Sequence, residues 1–148
     1  MNQPPQAPDA IRTLPSWLLG RASARGHRLV GEALALAGLR MPQYAVLAAV
    51  AELAPVSQAE LSRSTGIDPK DMVALVGELQ EDGLVERAPD TRDRRKNVIT
   101  LAPAGVRRLR RGDQLCREAN DELTVALSSS EREQLAELLA RLVRSGEL

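Results

Sequence analysis

Five consecutive residues, Arg92-Asp93-Arg94-Arg95-Lys96, put four cations in five positions. The runs on either side, Leu84-Val85-Glu86-Arg87 and Asn97-Val98-Ile99-Thr100-Leu101, are short and rich in branched apolar residues, as strands are. Two strands around a polar loop make a hairpin, here with guanidinium groups at its tip. A guanidinium is always charged, binds phosphate through a two-pronged fork, and fits the concentrated negative potential of a narrow minor groove. Asp90 and Asp93 keep the arginines from repelling one another and hold their geometry. The chemistry is therefore anion binding. Catalysis has little to build on, because the one histidine (His27) and the one cysteine (Cys116) stand 89 positions apart. Neither a nucleophile–base pair, nor metal-ligand spacing, nor a glycine-rich phosphate loop is present, so no enzyme, cofactor or metal is expected.

The hairpin follows two short helical patterns. Ser57-Gln58-Ala59-Glu60 is a capping box that starts a helix ending at Gly66. Asp68-Pro69-Lys70-Asp71 supplies a cap, a proline at the first helical position and an early acid for a second helix, which runs to about Asp82 and closes at Gly83. On that helix Met72, Leu75, Val76 and Leu79 share one face and must be core. Lys70, Ala74, Gly77 and Glu81 lie opposite, and the small residues among them permit close approach to base edges. Helix, turn, helix and basic wing in this order predict a DNA-binding winged helix. Its candidate DNA contacts are Ser57, Gln58, Lys70, Val73, Ala74, Gly77, Arg87, Arg92, Asp93, Arg94, Arg95 and Lys96.

The remaining chain frames this unit. Residues 1–15 hold four of the nine prolines (Pro4, Pro5, Pro8 and Pro15) and read as a flexible arm. A helical pattern covers 16–37, with Leu18, Ala22, Arg25 and Leu29 along one side and Gly38 as a left-handed cap. A second helix spans 43–53, with Tyr44, Leu47, Ala48 and Ala51 at helical spacing. After the wing, Pro103 opens a long helix to about Leu127, and Ser130-Glu131-Arg132-Glu133 reads as a capping box for a final helix striped with Leu135, Leu138, Leu139 and Leu142. The 148 residues suit a single domain, residues 16–148. With 43% apolar residues but only Trp17 and Tyr44 as aromatics, its core must be leucine, valine and alanine, which favours packed helices. The net charge is zero, so any affinity for nucleic acid depends on where charges sit. Without a signal-peptide pattern or an apolar run of about 18 residues, the expected location is the cytoplasm, with no membrane partner.

The span Gly83-Leu84-Val85, Arg87, Asp90-Thr91-Arg92-Asp93-Arg94-Arg95, Leu101 and Gly105 resembles the signature of the MarR family of bacterial transcriptional regulators. The resemblance covers about residues 57–105 and implies a mainly α fold with a small β-hairpin wing. In it, residues 41–102 form the winged helix-turn-helix, flanked by dimerisation helices in 16–40 and 103–148. It implies that Arg94 reads the minor groove, that Asp93 and Arg95 brace the loop or face phosphate, and that Arg92 and Lys96 add phosphate contacts. The expected partners are a second copy of the chain and a pseudo-palindromic double-stranded operator with half-sites about 10 bp apart. Relatives bind phenolic or other lipophilic acids between the dimerisation helices and the winged unit. The matching residues are Trp17, Arg21, His27, Arg28 and Tyr44, with Arg40 nearby, so the resemblance implies a repressor relieved by such a ligand. Some relatives sense oxidants through a cysteine in the first helix, where this chain has none; Cys116 reads as a small buried residue.

Two departures stand out. Family members often carry arginine or another polar residue at the positions of Ala74 and Glu78, and residues 57–101 hold nine acids against seven bases. A degenerate winged helix that binds DNA weakly and works through protein partners therefore stays open as a second reading. Where the family places Leu-Thr at the end of the wing, this chain has Leu101-Ala102, which removes a cap oxygen worth about 1 kcal/mol, partly offset by Pro103.

Overall fold

The computed structural model describes residues 6–147. Pro4 and Pro5 of the expected arm lie outside them, and the arm's later part contains one helical turn, α1 (Asp9–Arg12). The other elements are α2 (Pro15–Ala35), α3 (Met41–Leu53), α4 (Gln58–Thr65), α5 (Pro69–Glu81), β1 (Val85–Pro89), β2 (Asn97–Leu101), α6 (Pro103–Leu123) and α7 (Ser129–Gly146). The fold is mainly helical with one two-stranded antiparallel hairpin. No helix among the described residues is long and apolar enough to cross a membrane.

The described residues divide into two compact units, one of residues 30–117 and one of residues 6–29 with 118–147. The core of the first unit is aliphatic: Leu34, Val46, Leu47, Val50, Leu61, Val76 and Leu79 are fully buried, together with Met72. Its helix-turn-helix starts and stops where local chemistry dictates. The Ser57 hydroxyl accepts from the Glu60 N–H while the Glu60 carboxylate accepts from the Ser57 N–H. Those bonds, the backbone one first, hold the Glu60 carboxyl below its usual range. Asp68 caps α5 by accepting from the Lys70 N–H at 2.8 Å. Gly66 and Gly83 take the left-handed conformation that ends each helix.

The hairpin pairs Val85 with Leu101, Arg87 with Ile99 and Pro89 with Asn97. Val56, in the link between α3 and α4, adds a bridge: its N–H and carbonyl both bond to Ile99, at 3.2 and 2.7 Å. The sequence carries no period that announces this bridge, and it roots the wing in the helical core. Ala102, the residue without a cap hydroxyl, is buried, and its N–H donates to the Leu84 carbonyl.

Three expectations need correction. The buried face of α3 is Gln43, Val46, Leu47, Ala49 and Val50, and Ala51 is exposed. That helix is apolar nearly all round, so its pattern offered no contrast from which to read a face. α6 ends at Leu123, and Thr124 caps the turn by donating to the Asn120 carbonyl. α7 starts earlier than expected, because Ser128, not Ser130, is the cap and pairs with Glu131. Both Ser128…Glu131 and Ser130…Glu133 satisfy the capping spacing, and the earlier start gives the helix two more residues.

In the second unit the Arg132 guanidinium ties the start of α7 back to α6 through the Thr124 carbonyl and Asp121. No described residue of α7 is buried. Leu135, Leu138, Leu142 and Val143 are exposed, as are Leu14, just before α2, and Leu18 and Leu19 in its first turns.

Candidate nucleic-acid interface

The four core residues of α5 fix its rotation. With Met72, Leu75, Val76 and Leu79 buried, Lys70, Val73 and Ala74 are exposed and Gly77 is half-buried. Val73 retains 60% of its surface. Glu78, the acid hardest to reconcile with a phosphate backbone, has a partner. Its Oε2 accepts from an Arg40 guanidinium nitrogen at 2.5 Å and from Gln43 Nε2 at 3.2 Å. Gln43 Oε1 in turn accepts from the Arg40 N–H. Arg40 and Gln43 stand at the start of α3, so this carboxylate joins α5 to its neighbour. Arg40, named beside the expected ligand residues, has its guanidinium bonded to Glu78. On α4, the Ser57 oxygen is taken up by the cap, and Gln58 Nε2 is buried without a hydrogen-bond partner.

The wing tip is built by two aspartates. Asp90 accepts from the Arg92 N–H at 2.9 Å, and its own N–H donates to the Lys96 carbonyl. Asp93 accepts from both the N–H and the Nε of Arg95, each at 3.1 Å. The Arg95 side chain, then its N–H, hold the Asp93 carboxyl below its usual range. Arg95 thus braces the loop while its side chain stays exposed. Arg92, Arg94 and Lys96 are exposed, and among the described residues none forms an ion pair. Arg87 is exposed on β1.

Of the residues expected to hold an effector, Trp17, Arg21, His27 and Arg28 belong to one compact unit and Tyr44 to the other. Arg21 lies 5.7 Å from the Trp17 ring centroid, a cation–π contact, and His27 is exposed. The Tyr44 phenol donates to Asp113 Oδ1 at 2.6 Å. Burial, then that bond, push the Tyr44 pKa far above its ordinary value. Burial also raises the Cys116 thiol, so it does not rest as the reactive thiolate. A groove of about 460 Å³ in the first unit is lined by Leu36, Ala37, Gly38, Ala104, Arg107, Arg108 and Arg111, and by none of the expected effector residues.

Residues 37–96 match the MarR family. A transcriptional regulatory protein for the hcr operon of Thauera aromatica is 33% identical over 101 residues, which are 68% of this chain and 61% of that protein. The chain thus spans about three fifths to two thirds of the length of such curated relatives. Solved structures match more fully. A MarR family regulator from Rhodococcus sp. RHA1 is 30% identical with a TM-score of 0.75, covering 86% of this chain and 90% of that one. A Mycobacterium tuberculosis MarR family protein in complex with DNA is 25% identical with a TM-score of 0.75, covering 88% and 98%. CouR from Rhodococcus jostii RHA1, bound to p-coumaroyl-CoA, is 29% identical with a TM-score of 0.76, covering 91% and 95%. With its helix-turn-helix, its aspartate-braced basic wing and these likenesses together, the chain belongs to the MarR family of transcriptional regulators.

Proposed function

We propose that this protein is a homodimeric, sequence-specific regulator of transcription that binds double-stranded DNA through α5 and the wing. The observation that carries the reading is the division of labour at the wing tip. Asp93 fixes Arg95, and Arg94 is left outward and without an ion pair, as a minor-groove reader must be. Lys70, Val73, Ala74 and Gly77 would face the major groove, with Ser57, Arg87, Arg92 and Lys96 near phosphate. Support for a dimer comes from the leucines of α7 and the start of α2, an apolar surface larger than a lone DNA reader needs. Two copies would present their recognition helices one helical turn apart.

Repression relieved by a small lipophilic or phenolic ligand is part of the proposal. Its support is the relative that binds p-coumaroyl-CoA. Trp17, Arg21, His27, Arg28 and Tyr44 stay its candidate contacts, and the Tyr44 phenol donates to Asp113.

The test is binding of the full chain to the DNA flanking its own gene, at low and moderate salt, beside an unrelated duplex. Salt-sensitive preference for the flanking DNA is expected, because neutralised phosphates release counterions. Arg94→Ala should lower that affinity at least tenfold while the dimer persists in sedimentation. Unchanged affinity would remove Arg94 from the interface. Weak, equal binding to both duplexes would favour the second reading, in which the winged helix works through protein partners.

A further inference from the structure

We infer that the recognition helix selects its operator through thymine methyl groups, with Val73 as the residue that chooses them. The inference rests on the DNA-binding function proposed above and concerns what α5 can recognise once it lies in the major groove. Base edges are met mainly by the N-terminal part of such a helix. Ahead of the last turn of α5, the groups on its outward face are the Lys70 amine, the Val73 isopropyl, the Ala74 methyl and the hydrogen of Gly77, with Asp71 exposed on the flank. On that face only Lys70 can form a hydrogen bond from its side chain. The acids that might have read a base are occupied or off that face. Asp68 caps the helix, Glu78 is held by Arg40 and Gln43, and Asp71 lies on the same flank as Glu78. Gln80 and Glu81 belong to the last turn.

A single exposed valine is ordinary on a protein surface. This one is different in its setting. It stands beside Ala74 on a face without amide, hydroxyl or guanidinium groups, where base readout would otherwise require them. Guanine, adenine and cytosine present donors and acceptors to the major groove, and thymine alone adds an apolar group, its C5 methyl. Val73 and Ala74 match that methyl by contact. Pressed against any other base edge they would strip water from polar atoms and return nothing, so selection works by exclusion as well as by attraction. Lys70 remains for guanine or phosphate.

The experiment begins by selecting duplexes from a randomised library with the full-length protein. Thymines in the selected half-sites are then replaced one at a time by deoxyuridine, which keeps base pairing and removes only the methyl. At one or two positions per half-site the wild-type protein should bind about fourfold more weakly for each methyl lost. Val73→Ser should bind the thymine and uracil duplexes alike, whereas Val73→Thr, which keeps a γ-methyl, should retain the preference. Because Val73 is exposed, both variants are expected to fold, as circular dichroism will check. Equal binding of thymine and uracil duplexes by the wild type, with the selected sequence still preferred over an unrelated one, would overturn the methyl readout and leave DNA reading intact. A uracil penalty that persists in Val73→Ser would take the role away from Val73. A library that yields no preferred sequence would overturn the function itself, and this inference with it.

Discussion

Gly105 is where α6 crosses the base of the wing, and Gly105→Ala should be among the most damaging single-methyl additions in the protein. A Cβ built on Gly105 would stand 1.9 Å from the Leu84 carbonyl oxygen and 2.9 Å from the carbonyl carbon. Real Cβ atoms essentially never come closer than 3.0 Å, so α6 and Leu84 must move apart. Leu84 has nowhere to go, being 2% exposed, and its carbonyl already accepts from the Ala102 N–H at 3.0 Å. Overpacking of this kind costs about 1–3 kcal/mol. Distorting the bond to a buried carbonyl adds about 1 kcal/mol. Alanine recovers about 1 kcal/mol over glycine in helix propensity. The net loss is about 2 kcal/mol. Gly112→Ala provides a graded comparison, since its Cβ would meet the Tyr44 ring at 2.9 and 3.1 Å, a side chain that can tilt. Urea titrations followed by circular dichroism should show a lower midpoint at unchanged slope for Gly105→Ala and a smaller drop for Gly112→Ala. A Gly105→Ala protein as stable as the wild type, or the reverse order of the two variants, would refute the close approach of α6 to Leu84.

Tyr44→Phe should cost about 1 kcal/mol near neutral pH, through loss of the bond to Asp113. Because folding raises the Tyr44 pKa above its ordinary value of 10.0, the phenol's contribution is complete below pH 10 and declines as pH rises beyond it. Thermal unfolding from pH 8 to 11 should therefore show the gap between wild type and Tyr44→Phe narrowing above pH 10; a constant gap would contradict the sign worked out here. At α7, Ser128→Ala should lower stability by about 1 kcal/mol and Ser130→Ala by almost nothing, since only Ser128 caps the helix. Calorimetry that finds Ser130→Ala the costlier change would move the helix start back to where the sequence alone suggests it.

What could be read from the sequence was what local chemistry controls. Ser57 with Glu60, Asp68 with Pro69, and Gly66 and Gly83 each act within a turn or two, and they placed α4, α5 and the hairpin nearly residue by residue. The face of α5 was legible because Met72, Leu75, Val76 and Leu79 recur at helical spacing with Lys70, Gly77 and Glu81 opposite them. α3 failed the same test because Val46, Leu47, Ala48, Ala49, Val50 and Ala51 follow one another without contrast. The start of α7 was ambiguous for a different reason: consecutive serines offer two equivalent caps, and nothing local chooses between them. Glu78 with Arg40, Tyr44 with Asp113, and Gly105 against Leu84 are invisible along the chain, since each pair is more than 20 positions apart and depends on how helices cross.

That last group also changes the meaning of the acid count. Nine acids against seven bases in residues 57–101 describe a repulsive surface only if every charge faces the same way. Glu60 and Asp68 are turned to helix starts, where the peptide dipoles and free N–H groups favour a negative charge. Asp90 and Asp93 are turned into the wing loop. Glu78 is matched by Arg40, a cation from outside the counted segment. More than half of the acids are therefore consumed in building the scaffold, whereas Lys70, Arg87, Arg92, Arg94 and Lys96 are exposed, and among the described residues none of them forms an ion pair. Binding to a polyanion answers to this local distribution within about a Debye length, not to the sum along the chain. The aspartates that lower the net charge are the same groups that hold the wing's arginines in place to be used.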